Sequence, residues 1–265
     1  KYYDMYPLDK IQLPRVPDDD LDDVPAAGVR MAKPAGDHAK ILKTDNWRHS
    51  VQAYLASIAF ADVQVGRVLD ALDASPYAKN TIVVLWGDHG WHLGEKHHWR
   101  KFSLWEEATR APLMMVVPGV TKPDLRCDQA VDFMNIYPTL CELCQLPIGG
   151  YLDGVSMVPL LKDPDIIWER PALTTHGRLN HALRDNQYRL IRYRDGSEEL
   201  YDHKTDPMEW KNLGDDPGYA EVKQRLAKSF PSKNALDAPY DTKRSRNQNK
   251  KKQRPGNKKK KSSKQ

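Results

Sequence analysis

Residues 81–101 read T-I-V-V-L-W-G-D-H-G-W-H-L-G-E-K-H-H-W-R-K, and this stretch indicates the fold class. Its first six residues, Thr81 to Trp86, are apolar on both alternating faces and rich in β-branched side chains, as in a strand buried in a parallel sheet. Upstream, residues 46–74 repeat apolar side chains at the spacing of an amphipathic helix, for which Thr44 or Asp45 is the expected N-cap. A long helix followed by a buried strand predicts an α/β fold.

The segments on either side of this helix and strand differ in character. P-L-M-M-V-V-P, residues 112–118, predicts another short core strand, and a helix is expected to follow over residues 133–146. Residues 1–43, rich in Pro, Asp and Lys, are predicted to form a loop without regular elements. The α/β pattern therefore begins with the long helix and continues beyond the second strand.

The C-terminal third contains the short alternating segments H-A-L-R, Y-R-L-I-R-Y and E-E-L-Y-D. Turn signals at Asp185-Asn186 and Asp195-Gly196 separate them, so we predict a small antiparallel sheet, closed by a helix near residues 219–230. We divide the chain into three regions: an α/β region at 1–165, an antiparallel-sheet subdomain at 166–236 and a disordered lysine-rich tail at 237–265.

The net charge of +5 resides in the tail, because residues 243–265 hold twelve of the 41 Lys and Arg residues and no acidic residue. The rest of the chain is acidic. Since residues 243–265 have no aliphatic or aromatic side chain to bury, they are expected to be disordered and to bind polyanions without sequence specificity. No apolar run approaches the ~20 residues of a membrane-spanning helix, so no membrane span is expected.

Three cysteines, Cys127, Cys141 and Cys144, are too few for a disulfide framework. Cys141 and Cys144 form a C-x-x-C pair, a pattern found in zinc and redox sites. No second pair completes a zinc site, and apolar residues recur beside the two cysteines at helical spacing. We therefore interpret the pair as small core side chains of a helix.

The segment G-D-H-G, residues 87–90, directly follows the predicted strand and carries candidate metal ligands. Ligands bind at the carboxyl ends of the strands in open α/β sheets. Asp88 offers a carboxylate oxygen and His89 an imidazole nitrogen, and Gly87 and Gly90 allow a sharp turn that aims both inward. The alternative is a surface turn in which these side chains only cap the next element.

Three cations, Lys96, Arg100 and Lys101, follow within one short loop and would repel one another unless an anion or facing carboxylates neutralised them. An oxyanion substrate would do so, and lysine suits the stabilisation of charge on a leaving oxygen. A solvated basic loop is the alternative interpretation. The histidines of the same loop match no common zinc-ligand spacing.

Residues 81–119, from T-I-V-V-L-W-G-D-H-G to M-M-V-V-P-G, resemble the second signature region of type I sulfatases, most closely the iduronate-2-sulfatase-like branch. Further segments are similar to that family in order and spacing: Q-V-G-R-V-L-D-A-L-D, D-F-M-N-I-Y-P-T-L, L-D-G-V-S-M-V-P-L-L and E-L-Y-D-H-K-T-D-P-M-E-W-K-N-L. The similarity covers about residues 1–230. It implies the C-terminal part of an alkaline-phosphatase-like doubly wound sheet, followed by a small antiparallel sheet with a helix.

The resemblance implies a role for each candidate residue. Asp88 and His89 fall on ligands of one divalent cation, expected to be Ca²⁺ with Mg²⁺ as the alternative. Lys101 falls on the lysine that contacts the sulfate group and is the expected catalytic residue, and Trp91 falls on a wall of the substrate pocket. The antiparallel sheet adds two weaker substrate-binding candidates, for which a structural role is the alternative: His181 and Arg184.

The sequence also departs from the family. The family's nucleophile is a formylglycine made from the cysteine of a C-x-P-S-R or C-x-A-G-R motif, and neither motif occurs in this chain. The N-terminal Asp-Asp metal ligands and the catalytic histidine of a P-H-x-P-W segment are missing as well. Since the chain opens at Lys1 without a signal-peptide pattern, we interpret it as a C-terminal fragment that is inactive alone.

For the complete protein, the expected function is hydrolysis of a sulfuric ester, on a sulfated sugar such as an iduronate 2-sulfate-like substrate. Two alternatives stay open: a phosphomonoester or phosphonate monoester hydrolase of the same superfamily, and a non-catalytic polyanion-binding protein. The expected partner is a sulfated carbohydrate or another sulfate ester, with no specific nucleic acid. The expected location is periplasmic, extracellular or lysosomal.

Overall fold

The computed structural model describes residues 1–237, and within them the chain forms seven α-helices and eight short strands. Lys1–Ser232 form one compact unit. Residues 233–237 hold no helix or strand. Apart from its first residue, the predicted lysine-rich tail lies outside the described residues, and the boundary proposed after residue 165 stays a prediction. No helix in the described part is both long and apolar enough to cross a membrane.

The N-terminal region is more regular than predicted. Two short 3-10 turns are followed by helices α1, Ala26–Ala32, and α2, Asp37–Lys43. The prediction of a loop without regular elements was therefore wrong. Proline disfavours a helical interior but is tolerated before a first turn, and α1 begins directly after Pro25 with the good helix formers A-A. It ends at Lys33, which adopts the left-handed conformation at φ +54°.

The long helix is confirmed as α3, Trp47–Asp73. Its N-cap residue is Asn46, which makes no side-chain capping bond, so the expectation of Thr44 or Asp45 was wrong. The Thr44 hydroxyl instead donates to the Lys40 carbonyl at 3.0 Å, at the C-terminal end of α2. Because α2 ends only a few residues before α3 begins, Thr44 caps the C-terminal end of α2 and not the N-terminal end of α3.

Strand β1, Val83–Trp86, is confirmed, but its pairing differs from the prediction. The hairpin strands β2 and β3 span His92–Leu93 and Trp99–Arg100, and a single-turn helix α4 spans Glu106–Thr109. The predicted second core strand is β4, Leu113–Val116, and it pairs with β1 antiparallel, in the register Val83↔Val116 to Trp86↔Leu113. The parallel arrangement expected for these strands is therefore corrected.

The error arose because an apolar run indicates that both faces of a strand avoid water, but it carries no information about the direction of the partner strand. In addition, β1 and β4 are less buried than expected, since Trp86, Met114 and Val116 are about half exposed. Two strands with this much open apolar surface are marginal without further packing partners.

The predicted helix over residues 133–146 begins with a 3-10 turn, Phe133–Asn135, and continues as α5, Ile136–Leu143. Helix α6, Val158–Lys162, packs nearby. All three cysteines are free, and only Cys141 is buried, on α5. The interpretation as core cysteines therefore holds for Cys141, whereas Cys144 at the exposed helix end does not belong to the core.

The predicted antiparallel sheet is confirmed and has four strands in the order β5-β6-β7-β8. The strands are Ala172–Thr175, His181–Arg184, Tyr188–Arg192 and Glu198–Asp202, the first of which was not predicted. Helix α7, Ala220–Ala227, buries Leu226 against Leu190 and Leu200 on one face of the sheet.

The main core lies against the other face of this sheet. Ile191 and Tyr201 from the sheet pack with Leu104 and Trp105, which immediately precede α4, and with Ala32 of α1. Helix α1, the segment after β3 and the antiparallel sheet thus share one hydrophobic core. This core holds the segment between β1 and α4 in place, and that segment carries the residues singled out from the sequence.

Candidate active site

The turn after β1 rests on the backbone of α4 and of the residues that follow it. The Gly90 amide donates to the Ala108 carbonyl at 2.9 Å, and the Gly87 amide donates to the Pro112 carbonyl at 3.0 Å. A Cβ atom at Gly90 would lie 2.1 Å from the Glu107 carbonyl oxygen, so only glycine fits there. The two glycines of G-D-H-G therefore set how closely the turn approaches the helix.

Asp88 and His89 project from this turn side by side. The His89 Nδ1 atom lies 2.8 Å from the Gly90 carbonyl, which can only accept, so Nδ1 carries the proton and Nε2 presents a lone pair. Asp88 Oδ2 lies 3.2 Å from that Nε2 atom. The Asp88 side chain is 81% exposed, whereas the His89 side chain is only partly exposed.

Lys101 reaches the same place from the far end of the β2–β3 hairpin. Its Nζ atom donates to His89 Nε2 at 2.8 Å. Trp91 stacks on the His89 ring with 6.1 Å between ring centroids, and on Tyr54 of α3 at 6.2 Å. The structure thus brings together four of the six candidate residues, Asp88, His89, Trp91 and Lys101.

A buried histidine braces the strand that delivers Lys101. His92 Nδ1 donates to the Glu95 carbonyl at 3.1 Å, which leaves Nε2 to accept from the Ser103 hydroxyl at 2.7 Å. Burial, assisted by the neighbouring His98, lowers the pKa of His92 to about 3, so the ring is neutral near pH 7. The Ser103 amide in turn donates to the Lys101 carbonyl at 2.8 Å.

The oxyanion expected to neutralise the basic cluster is not needed for most of it. Lys96 pairs with Asp20 at 2.7 Å, and Arg100 pairs with Asp37 at 3.0 Å. Facing carboxylates therefore compensate two of the three cations, and no oxyanion is needed for them. Lys101, whose ammonium contacts the His89 ring, is the member of the cluster available to an anionic ligand.

The two candidates on the antiparallel sheet have other neighbours. His181 is buried on β6, with Nδ1 at 2.8 Å from the Thr175 hydroxyl and its ring near Phe230. Arg184 pairs with Glu106 at 3.5 Å and lines an open cavity of about 400 Å³ with Arg110. These contacts do not join either residue to Asp88 or Lys101.

A charged cluster that the sequence analysis missed lies beside this cavity. Glu106, His203 and Glu209 place potential ligand atoms within 4.8 Å of one another. Arg189 already fills the space that a cation would need, because its guanidinium binds both Glu209 and Glu106. Although burial opposes ionisation, Arg189 and His203 hold the pKa of Glu209 at about 2. We therefore assign this cluster to structure instead of metal binding.

The sequence did contain a signal for this cluster. Arg189 and Glu199 occupy strand positions at which alternation places side chains in the core, and both are almost fully buried. A charged residue at such a position predicts a buried partner of opposite charge or several hydrogen bonds. The partner could not be named, since Arg189 and Glu106 are 83 residues apart.

Glu107, on α4 beneath the G-D-H-G turn, is an unusual carboxyl group. Burial, together with the nearby Glu95, raises its pKa to about 7. Glu107 and Glu95 in turn contribute to the raised pKa of Tyr54, after burial as the first cause. A carboxyl that is half protonated near neutral pH therefore lies under the candidate site.

The Asp88 and His89 donors fit a divalent cation. A carboxylate oxygen and an imidazole lone pair face each other at 3.2 Å, and two such electron-pair donors repel unless a positive charge lies near both. Lys101 supplies one such charge. Carboxylate oxygen and imidazole nitrogen are also ligands that protein-bound divalent cations accept.

Comparisons with known proteins agree on one family. The chain matches the Sulfatase family model over residues 16–146 and the N-sulphoglucosamine sulphohydrolase C-terminal model over residues 87–235. It is 41% identical to a sulfatase of Formosa agariphila, over 89% of this chain and 46% of that protein. It is 32% identical to a delta 4,5-hexuronate-2-O-sulfatase of Bacteroides thetaiotaomicron, over 67% of this chain and 40% of that protein.

A mouse iduronate 2-sulfatase is 32% identical over 56% of this chain and 33% of that protein. The chain thus spans between a third and a half of the length of these relatives. Among solved structures, a 2-O GAG sulfatase superposes with a TM-score of 0.64 at 24% identity, over 86% of this chain and 56% of that one. A phosphonate monoester hydrolase from Silicibacter pomeroyi superposes with a TM-score of 0.70 at 23% identity, over 86% and 51%. At these identities, the structural likeness establishes the alkaline-phosphatase-like fold alone.

Proposed function

Since the chain belongs to the type I sulfatases of the alkaline-phosphatase-like superfamily, we propose that it contributes the cation-binding and sulfate-contacting side of a sulfuric ester hydrolase site. The observation that carries this proposal is the convergence of Asp88, His89 and Lys101 at the end of β1. Three side chains separated by up to 13 residues meet within hydrogen-bonding distance. The fold supports the same class of site, since ligands bind at strand ends in α/β sheets.

In this proposal, Lys101 is the catalytic residue. When the sulfur–oxygen bond of a sulfate ester breaks, negative charge grows on the leaving oxygen and on the sulfate oxygens. A lysine ammonium held at that place stabilises this charge without rearranging, which is the way preorganised cations lower a barrier. In the structure the Lys101 ammonium donates to His89 Nε2, and the Gly90 carbonyl holds His89 in the tautomer that presents this lone pair. A bound cation would take the same lone pair, and Lys101 would then turn to the sulfate oxygens.

Asp88 and His89 are the residues that would bind a divalent cation, for which Ca²⁺ is our proposal and Mg²⁺ the alternative. Such an ion supplies positive charge that polarises the sulfate oxygens. Trp91, stacked on the His89 ring, offers a flat apolar wall at the edge of the same site. Its partly exposed ring suits the apolar face of a sugar ring.

We propose a sulfated uronic acid as the substrate. This proposal is supported by the similarity to a delta 4,5-hexuronate-2-O-sulfatase and to an iduronate 2-sulfatase. His181 and Arg184 remain candidates for contacts to such a sugar, although their contacts favour a structural role. The proposed nucleophile is a formylglycine contributed by a part of the protein outside these 265 residues, so the chain alone is expected to be inactive. An exported or lysosomal location follows from the same resemblance.

A phosphonate or phosphate monoester hydrolase is the second candidate function. The fold does not separate it from a sulfatase, since a phosphonate monoester hydrolase superposes with the higher TM-score of the two structures compared. Sulfate and phosphonate monoesters both present a tetrahedral group of anionic oxygens, which Lys101 would stabilise in the same way. Polyanion binding through the tail concerns residues outside the described part of the chain.

The test is sulfate release by a protein that contains residues 1–265 together with its upstream sequence. Lys101→Met is expected to lower kcat for an unsaturated uronic acid 2-sulfate by about 100-fold or more while Ca²⁺ binding is kept. Asp88→Asn is expected to weaken Ca²⁺ binding, measured by titration calorimetry. Arg100→Ala is the matched control, because Arg100 is also a cation of the hairpin but pairs with Asp37 at the surface.

Full sulfate release by both Lys101→Met and Asp88→Asn would contradict the proposal. Faster hydrolysis of a phosphonate monoester than of any sulfate ester, with the same dependence on Lys101, would instead establish the second candidate. Absence of hydrolysis of both ester classes, together with polyanion binding that is lost when residues 243–265 are deleted, would favour the non-catalytic alternative.

A further inference from the structure

Lys96, at the tip of the β2–β3 hairpin, is a buried cation that touches three separate parts of the molecule. Its side chain is 2% exposed. The Nζ atom lies 2.7 Å from Asp20 Oδ1, donates to the Glu209 backbone carbonyl, and lies 5.1 Å from the centroid of the Tyr201 ring. The tip of the hairpin is thus tied to the N-terminal segment and to the region of the antiparallel sheet.

Asp20 holds the backbone of Lys96 as well as its side chain. The second carboxylate oxygen, Oδ2, accepts from the Lys96 amide at 3.1 Å. Lys96 and His97 both adopt left-handed backbone conformations, at φ +54° and +48°. Non-glycine residues rarely adopt this conformation, so surrounding contacts must hold both residues in it. Asp20 supplies such contacts from both of its oxygens.

The ion pair is a poor means of stabilising the fold in itself. Burial raises the pKa of the Asp20 carboxyl even though Lys96 faces it. Removal from water therefore outweighs the attraction between the two charges, as is common for buried pairs. An apolar pair of similar volume would serve stability at least as well. The geometry that the charged pair imposes on the hairpin tip is thus its distinguishing property.

The hairpin connects this tip to the candidate site. One strand leads back to Asp88 and His89 and the other leads forward to Lys101, and the ladder between them has only two residue pairs, His92↔Arg100 and Leu93↔Trp99. Such a short ladder does little to fix its own register, and a slip of one residue would turn each side chain to the opposite face. The contact between Lys101 and His89 therefore depends on what holds the tip.

We propose that Lys96, bound by Asp20, is a positioning residue that fixes the register of the β2–β3 hairpin and thereby holds the Lys101 ammonium against His89. The consequence for catalysis rests on the proposed function of Lys101. The effect on hairpin geometry does not, and it can be measured on the 265-residue chain without any enzymatic activity.

The test replaces the ion pair with apolar residues in the double variant Asp20→Leu/Lys96→Met. Thermal unfolding followed by circular dichroism is expected to stay close to that of the wild type, because an apolar pair replaces a costly buried pair. The Lys101 amine is then labelled with acetic anhydride at one pH, and its rate is measured by peptide mass spectrometry. Loss of the hydrogen bond to His89 is expected to raise this rate by roughly fivefold, the factor one hydrogen bond represents.

Arg100→Ala is the matched control, since it removes a neighbouring ion pair of the same hairpin that is largely exposed, and the Lys101 rate is expected to stay unchanged. Should the double variant fail to fold, Asp20→Asn keeps the shape of the side chain and is expected to raise the rate in the same direction. An unchanged Lys101 rate in folded double or single variants would overturn the proposal.

The outcome is separable from that of the proposed function. A changed Lys101 rate in a protein that binds no Ca²⁺ and releases no sulfate would leave the positioning role intact and remove the proposed activity. An unchanged Lys101 rate in a protein that hydrolyses sulfate esters through Lys101 would leave the proposed activity intact and remove the positioning role of Lys96.

Discussion

The β2–β3 hairpin with the G-D-H-G turn, and the buried charges beside the antiparallel sheet, use the same residue types in opposite ways. In the turn, Asp88 and His89 face each other at 3.2 Å and are open to solvent. Beside the sheet, Arg189 is buried and bound by Glu106 and Glu209. Charged groups whose bonding capacity is filled by protein serve the fold, whereas accessible donors held in a fixed geometry are available to a ligand.

Glu199 is a further buried charge beside the antiparallel sheet whose bonding capacity is filled by protein groups. Its buried carboxylate accepts hydrogen bonds from Trp105 Nε1 at 2.7 Å and from the hydroxyl groups of Tyr193 and Tyr201 at 2.5 Å. Burial nevertheless raises its pKa, with the three donors acting in the opposite direction. The group joins the segment before α4 to β8, so the sheet and the segment that carries the candidate site are held by polar as well as apolar contacts.

The largest expected effect comes from breaking the buried network. Arg189→Met removes the guanidinium that binds Glu106 and the buried Glu209, which leaves them only Arg184 and His203, and we expect a loss of about 3–5 kcal/mol in the free energy of unfolding. Urea denaturation measures this change. Arg192→Met on the same strand is the control, because its pair with Glu198 is partly exposed and is expected to contribute no more than about 1 kcal/mol. Equal losses in the two variants would remove the distinction between buried and exposed pairs.

A smaller effect is expected where the turn meets α4. A Cβ atom in Gly90→Ala would collide with the backbone carbonyls of Glu107 and Arg110, and we expect a destabilisation of about 1–3 kcal/mol together with weaker Ca²⁺ binding. Gly66→Ala on α3 is the control, since the added Cβ atom meets nothing and should stabilise the helix by about 0.5–1 kcal/mol. Thermal unfolding and calorimetry report the two quantities. Unchanged Ca²⁺ affinity in Gly90→Ala would show that the proposed metal site does not depend on the geometry of this turn.

The ionisation of Glu107, beneath the G-D-H-G turn, is expected to make the stability of the protein depend on pH. Its pKa in the folded protein, about 7, lies above the ordinary value of 4.5, so folding favours the protonated form. Its contribution to stability is therefore complete below about pH 4.5 and is lost as the pH rises through 7. We expect Glu107→Gln to raise the unfolding free energy at pH 8 by about 1–3 kcal/mol relative to the wild type, with little difference at pH 4. A constant difference across this pH range would show that Glu107 does not titrate as described.

The smallest effect on stability is expected in the accessible turn. Asp88→Asn changes an exposed side chain and should alter the unfolding free energy by no more than about 0.5 kcal/mol. Ca²⁺ binding should nevertheless be lost or strongly weakened, as measured by calorimetry. Asp62→Asn, an exposed carboxylate on α3, is the control for general charge effects. A large loss of stability without a change in Ca²⁺ binding would show that Asp88 serves the fold and does not bind the cation.

Local patterns in the sequence were sufficient for much of the fold and for the centre of the candidate site. The spacing of apolar residues predicted α3, both strands β1 and β4, and three strands of the antiparallel sheet. This works because burying one face of a helix or strand repeats apolar residues at a fixed spacing along the chain. Asp88 and His89 were named from one continuous segment, and the family resemblance singled out Lys101 among the three cations that follow. Asp88, His89 and Lys101 meet because a short hairpin joins them, and a distant contact, Lys96 with Asp20, holds the tip of that hairpin.

What the sequence left open depends on partners far along the chain. The antiparallel pairing of β1 with β4, the binding of Lys96 by Asp20 from 76 residues away, and the placement of Arg189 between Glu106 and Glu209 are such cases. Alternation records that a side chain is buried but does not record which group neutralises it. Only the folded chain brings these charges together, and burial then makes the choice of partner energetically decisive.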